Sequence, residues 1–413
     1  MQLTARVPLL ATVALAVVVV IACGSPAPSG PSASGSSQPA RTPAPGASVS
    51  PGSSPTDSQA PSPTPVPTPT PTPAPTPLPT PTMAVAPLTG RLVREELARR
   101  HPIAVMIDDL WAARPQSGMS RASIVWQAPA EGGIPRYMAI FAEGNPTAVG
   151  PVRSARYYFI GWAAEWKAMY VHVGGSPQAL ATLAAKGSGQ LVFNADQARW
   201  GNRYLWRITT RYAPHNVYTD GRHLRALARR LGATDPPGEP VWHFAADAPL
   251  ELRPVGGRID VTYPHNAIRY KYDRATNTYR RFVSGGKRDI DAAYKVQIAP
   301  RNVIVMVVRF GPLNDGSHKG RLEAQFIGSG TAWIATNGTT IKGTWKKRSM
   351  TGPTRFYDRS GKQVTLTVGQ TYIQVVPPGT SLKFVAGKPA PTASPSPGAA
   401  PTASPSPAPT PLP

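Results

Sequence analysis

The apolar positions of this chain fall into three regimes. Residues 7–21 form one long apolar run, broken only by Pro8 and Thr12. Residues 24–82 and 389–413 carry no periodic apolar pattern, and residues 83–388 hold short apolar runs separated by polar turns. The run at 103–107 (Ile-Ala-Val-Met-Ile) ends at Asp108-Asp109 and predicts a strand covered on both faces. Runs at 124–128 and 137–142 predict two more strands, joined by Glu131-Gly132-Gly133-Ile134-Pro135-Arg136, a strong turn signal. Ser154 is the expected N-cap of a helix reaching about Lys167. A strand at 169–173 leads into Gly174-Gly175-Ser176-Pro177, where Ser176 caps a helix with Pro177 at its first position. A basic helix at 222–231 is stopped by Gly232.

Past the Pro/Gly-rich stretch 235–240 the period changes to two. Ile268, Tyr270 and Tyr272 alternate with Arg269 and Lys271, and residues 302–309 are rich in valine. Asn337-Gly338 reads as a hairpin turn between strands at 333–335 and 339–345, and strands at 364–367 and 372–376 follow. No helical pattern recurs. The expected fold class is therefore α+β: an α/β domain with a mixed sheet at 83–235, then a β-rich domain at 236–388, as a barrel or a sandwich.

Composition changes the picture at both ends. Residues 24–82 are mostly Pro, Thr, Ser, Ala and Gly, with no aromatic residue and only Arg41 and Asp57 charged, and 389–413 repeats this composition. Neither stretch can bury enough apolar surface to offset chain entropy, so disorder is expected in both. The Thr-Pro alternation at 61–81 favours an extended polyproline spacer, about 3.1 Å per residue, so the arm could hold a folded unit on the order of 100 Å from its anchor. Cys23, the only cysteine, follows the apolar run directly. Val-Ile-Ala-Cys-Gly at 20–24 resembles a bacterial lipobox, in which the cysteine is lipidated; an ordinary export signal is the alternative. The expectation is a signal peptide at 1–22, lipid attachment at Cys23, a tether at 23–82 and a location on the extracytoplasmic side of the cell membrane. The formal charge is +23, and removing Arg6, Arg41 and Asp57 leaves +22 for residues 83–388. Such an excess attracts polyanions or simply raises solubility.

The candidate chemistry sits at strand ends. Asp108 and Glu131 each follow a strand, Arg136 begins the return strand, and His172 precedes the Gly-Gly-Ser-Pro turn. Ligands of open α/β sheets bind outside the carboxyl ends of strands, so these residues converge if the ends share one edge. Arg153 and Arg156 are expected at a helix N-terminus, where the macrodipole disfavours cations and a bound anion would relieve the clash. The competing reading is an internal ion pair of either arginine with Glu131, Asp108 or Glu165. Gly174, Gly175, Ser176 and Asn216 complete the candidate ligand-binding set. For catalysis no residue is singled out. Asp108 and Glu131 could act as acid and base on a glycan, with His172 or His215 moving protons, but no spacing enforces that geometry. Ser176 lacks the following glycine of a nucleophile elbow, and no metal-ligand spacing or cofactor motif is present.

Taken together the segments resemble the YerB-like family of bacterial lipoproteins defined by the DUF3048 domain pair. The matching stretches are 102–108, 113–118, 128–136, 150–156, 171–177 and 213–216, then 302–305, 343–347 and 353–357. The resemblance spans about 88–384 and implies an α/β domain followed by a β-rich one, with no activity to transfer. Two positions depart from the family pattern: Asp109 stands where asparagine is common, and Gln127 where glutamate is common. If that glutamate were catalytic, Gln127 could not replace it, and either Glu131 carries the role or there is no such chemistry.

The resulting expectation is an anchored envelope protein that binds an anionic ligand, such as a cell-wall polymer, or an envelope protein, without turnover. No specific nucleic-acid partner is expected, because the basic residues are dispersed and no recognition motif is present. The alternative is a hydrolase or transferase acting on cell-wall glycan. Glu131 closed in an arginine pair would count against that alternative.

Overall fold

A computed structural model of the chain describes residues 81–390. The expected signal peptide, Cys23, nearly all of the proline-rich arm and nearly all of the C-terminal tail lie outside the described residues.

The first stretch forms β1 (Ile103–Asp108), β2 (Ile124–Pro129), β3 (Pro135–Phe141), helix α1 (Tyr157–Ala164), β4 (Met169–His172), α2 (Pro177–Ala184), β5 (Phe193–Asp196) and α3 (Gly221–Arg230). The second forms β6 (Arg258–Tyr263), β7 (Asn266–Asp273), β8 (Thr278–Val283), β9 (Lys287–Arg288), β10 (Asn302–Val307), β11 (Gly328–Thr336), β12 (Thr339–Lys347), β13 (Arg355–Tyr357), β14 (Thr371–Val376) and β15 (Ser381–Val385). Ten of these strands make one mixed sheet in the order β13-β12-β11-β10-β14-β2-β3-β1-β4-β5. The sheet therefore runs across the expected boundary at 235/236. Its seam is parallel pairing of β14 with β2, Thr371 opposite Ile124 and Gln374 opposite Gln127.

Continuous apolar runs occur because both faces of this sheet are covered. Ala104, Met106, Trp126, Ile140, Ile304 and Ile373 face α1, where Trp162 stacks on Trp126 with ring centroids 4.6 Å apart. Ile103, Val105, Val125, Ala139, Val303 and Tyr372 face α3 and a second, antiparallel sheet of order β9-β8-β7-β6-β15. The period-two pattern builds that second sheet: Ile268, Tyr270 and Tyr272 point inward from β7. The β-rich stretch is thus divided between a sheet shared with the first stretch and a small open sheet packed on it. Asn337 and Gly338, both at positive φ (47° and 75°), make the expected two-residue turn between β11 and β12.

One predicted element is corrected. The helix expected from Ser154 to about Lys167 spans only Tyr157–Ala164, with Arg156 at its N-cap and no side-chain cap. Residues 151–155 remain extended because their backbone groups complete neighbouring strand ends. Pro151 O accepts from Asp108 N (3.0 Å), Arg153 N donates to Met106 O (2.9 Å), and Ala155 N donates to Gly174 O (2.9 Å). Ser176 does cap α2, its hydroxyl accepting from Ala179 N at 3.3 Å.

Gly161 tests the packing of α1. In an exposed helix Gly→Ala stabilises by about 1 kcal/mol. At Gly161 a Cβ would overlap the ring of Phe326, which is itself buried, and would press on Met350. Gly161→Ala is therefore expected to destabilise by about 1–3 kcal/mol, read as a lower urea midpoint. A raised midpoint would refute this account of the packing of α1 on Phe326.

Candidate functional site

The carboxyl ends of β1, β2, β4 and β5 share one edge of the large sheet, since β4 runs parallel to β1 and β5 to β4, while β3 returns between β1 and β2. Register places Arg136 opposite both Asp108 and Ala128. The β2–β3 link is a single 3-10 turn, Glu131–Gly133, with Gly132 and Gly133 at φ of 62° and 73°. A cavity of about 310 Å³ opens at this edge, lined by Asp108, Glu131, Arg136, Arg153 and Lys319. Leu110, Ala130 and Ile134 supply its apolar wall.

Glu131 is the hub of the cations. Its Oε2 lies 3.2 Å from Arg136, its Oε1 pairs with Arg156, and Arg321 Nε stands 3.8 Å from Oε1. Arg321 also pairs with Asp315. Five cations (Arg136, Arg153, Arg156, Lys319, Arg321) thus meet three carboxylates (Asp108, Glu131, Asp315). Burial, and then the nearby Arg153 charge, push the Arg136 guanidinium down to about 10, and burial pushes Arg156 down to about 10. Both still carry charge at neutral pH. Burial likewise raises the Tyr158 hydroxyl to about 12, and that group donates to Pro129 O at 2.5 Å. The Nε atoms of Arg153, Arg156 and Arg321 are buried without a hydrogen-bond partner among the described residues.

Asp108 connects this cluster to a histidine. Its Oδ1 accepts from Leu110 N at 3.0 Å, and its Oδ2 lies 3.1 Å from Arg153 Nε and 2.7 Å from His215 Nδ1. An aspartate on Nδ1 orients an imidazole and favours a proton there, leaving Nε2 as the basic nitrogen. His172 is differently placed: both of its ring nitrogens are engaged inside the protein, by Gly174 O at 2.8 Å and Asn194 Oδ1 at 2.9 Å.

The structure thus gathers Asp108, Glu131, Arg136 and Arg153 around one cavity, with Arg156 on Glu131 and His215 on Asp108. It does not bring the remaining candidates to the cavity wall. Gly174 and Gly175 form the turn into α2, where Gly174 N is held by Asp196 Oδ1 at 3.2 Å, and Ser176 is spent on its cap. Asn216 bonds within its own loop, its Oδ1 accepting from Arg207 at 2.7 Å. Glu165, one of the ion-pair partners considered for the arginines, pairs instead with Lys347 at 2.9 Å. Lys319 and Arg321 were not singled out from the sequence. They sit on the tip of a hairpin (Phe310–Pro312 with Leu322–Ala324) whose approach to Glu131 leaves no local sequence signal. No group of three or more His, Cys, Asp or Glu residues suited to a metal ion occurs among the described residues.

A second, largely buried polar cluster sits with the core on the other face of the sheet. Arg281, 0% exposed, donates to Gln127 Oε1 at 2.8 Å, Tyr137 Oη at 3.0 Å and Tyr270 Oη at 3.0 Å, and pairs with Asp289. Asp109 pairs with Arg114 and accepts from Gln127 Nε2 at 2.5 Å. Burial pushes the Asp109 carboxyl up while Arg114 and Arg281 oppose the rise. The two positions that depart from the family pattern are therefore hydrogen-bonded to each other. Against the pattern the resemblance implies, carboxylate and amide are exchanged, and two arginines, Arg114 and Arg281, face two carboxylates, Asp109 and Asp289. Asp109→Asn alone leaves a buried positive charge unmatched and is expected to cost about 3–5 kcal/mol in urea unfolding. Asp109→Asn with Gln127→Glu should recover at least half of that loss. A double variant as unstable as the sum of the singles would refute the exchange.

Comparison with known proteins agrees with this architecture. Residues 88–234 match the domain described as "Protein of unknown function (DUF3048) N-terminal domain", and residues 259–373 match its C-terminal counterpart. The chain is 30% identical over 296 residues to "Putative lipoprotein YerB" of Bacillus subtilis (strain 168), covering 71% of this chain and 86% of that protein. The crystal structure of YerB from Bacillus subtilis superposes with a TM-score of 0.64 at 27% identity, covering 73% of this chain and 99% of that one. With both domains present in order around one shared sheet, the chain belongs to the DUF3048 family of YerB-like proteins.

Proposed function

We propose that this protein is a lipid-anchored component of the extracytoplasmic face of the membrane, held by Cys23, that binds an anionic ligand in the cavity between Arg136, Arg153 and Lys319. The anchor is supported by the lipobox-like sequence at Cys23 and by the name of the YerB relative. No described helix is long and apolar enough to cross a membrane. The observation that carries the binding reading is the excess of five cations over three carboxylates at a cavity edge, with Arg136 destabilised by burial and by Arg153. An anion placed there would offset the repulsion between arginines, that of Arg136 with Arg153 above all. The anionic envelope polymers that such a tethered cavity would meet carry phosphate or carboxylate groups.

One observation favours a second reading. The Asp108–His215 contact at 2.7 Å is the arrangement of a general base, and it would activate water for attack on a bound ester or glycosidic bond. Glu131 does not serve this reading, since both of its carboxylate oxygens are engaged, by Arg136 and Arg156.

The two readings are separated by incubating the full chain with poly(glycerol phosphate) and with isolated wall glycan, scoring retention and released fragments. Retention without release is expected. Arg153→Ala is expected to weaken poly(glycerol phosphate) binding about tenfold, a loss of about 1.4 kcal/mol, and added salt should weaken it further. Release that disappears in His215→Asn would establish the hydrolase reading. Absence of retention on every anionic polymer would defeat the binding reading.

A further inference from the structure

Two largely exposed aromatic residues lie on chain segments that adjoin the cavity residues Leu110 and Asp108. Trp111 is 56% exposed and Tyr212 is 92% exposed. Burying rings of this size is worth several times the thermal energy, so leaving both in water at one place is costly. Their backbones are nevertheless tied firmly to the site. Trp111 follows Leu110, which lines the cavity and whose N–H is held by Asp108. Tyr212 O accepts from His215 N at 2.9 Å, and His215 rests on the same Asp108. Arg211 joins the two segments, donating to Ala112 O at 3.3 Å and Pro115 O at 2.9 Å. Lys287 Nζ stands 4.9 Å from the Trp111 ring centroid.

We infer that Trp111 and Tyr212 form a stacking platform for a sugar ring, so that the anion taken by the cavity is a phosphate or carboxylate borne on a sugar; this rests on the anion reading above. Aromatic rings carry negative charge on their faces, and the C–H face of a pyranose carries positive charge, so the two stack. The groups next to the platform suit the rest of such a ligand. Arg153 donates to hydroxyls, and the cavity-lining Arg136 and Lys319 meet the charged substituent. A bare anion would use the cations alone and would leave the two rings unexplained.

The test is calorimetric titration of the full chain with two phosphomonoesters that differ only in what carries the phosphate, N-acetylglucosamine 1-phosphate and glycerol 1-phosphate. The sugar ester is expected to bind about tenfold more tightly. Trp111→Ala and Tyr212→Ala are each expected to reduce that advantage while leaving glycerol phosphate affinity unchanged. Both side chains are exposed, so an unchanged urea midpoint serves as the folding control. Equal affinities for the two esters, or an advantage that survives both substitutions, would overturn the inference and leave the anion reading standing. Tighter binding of adenosine 5′-monophosphate, lost in Trp111→Ala, would replace the sugar with a nucleobase. If neither ester binds, the anion reading falls and this inference falls with it.

Discussion

Strand β14 (Thr371–Val376) is the constraint on which the rest of the molecule depends. It is buried along its whole length and lies between β10 and β2, parallel to both. A buried strand must satisfy every backbone donor and acceptor from its neighbours, so its position admits little slippage. Because β10 belongs to the second stretch and β2 to the first, this pairing sets one register for both. Asp108, Arg136 and Glu131 reach their edge from the first stretch, and the hairpin tip bearing Lys319 and Arg321 reaches the same edge from the second. A one-residue slip at β14 would exchange its two faces, sending Ile373 and Val375 toward the side now occupied by Tyr372 and Val376.

Buried polar groups reinforce that seam at three places. Arg281 from the second stretch is held by Gln127 and Tyr137 from the first. Lys347 meets Glu165, whose other oxygen accepts from Thr354 N at 3.0 Å. Asp291 accepts from Gly118 N at 3.0 Å and Ser120 N at 2.8 Å. Such pairs contribute modest net stability against well-packed apolar groups, but leaving one partner alone is costly. They therefore discriminate sharply between the correct docking of the two stretches and any shifted one. The cavity cluster is a contrast. In it the Nε atoms of Arg153, Arg156 and Arg321 make no hydrogen bond among the described residues, and the cations outnumber the carboxylates.

Much of the architecture was legible because strand burial leaves a local signature. The runs at 103–107, 124–128 and 137–142 are strands covered on both faces, the alternation at 268–272 is a strand covered on one, and Asn337-Gly338 makes its turn. The helix after Ser154 was misplaced because capping chemistry describes an isolated helix, whereas the backbone of 151–155 is recruited by β1 and by the turn after β4. Arg281 shows a signal that could have been used: it occupies an inward position of β8 between Tyr279 and Val283. An arginine on the apolar face of an alternating strand announces a buried network, though not its partners.

The sequence by itself determined the element types, the apolar faces, the basic character of residues 83–388 and the resemblance to the family. Only the tertiary structure decided that the two stretches share one sheet, that Asp109 and Gln127 touch, and that Glu131 gathers three arginines while Asp108 takes His215. It also placed Trp111 and Tyr212 on segments that meet at Asp108. The physical reason is the range of each interaction. Periodicity and turn chemistry act over a few residues and are written in neighbouring letters. Strand pairing and charge pairing join residues more than a hundred positions apart, and no local pattern records which partner each will find.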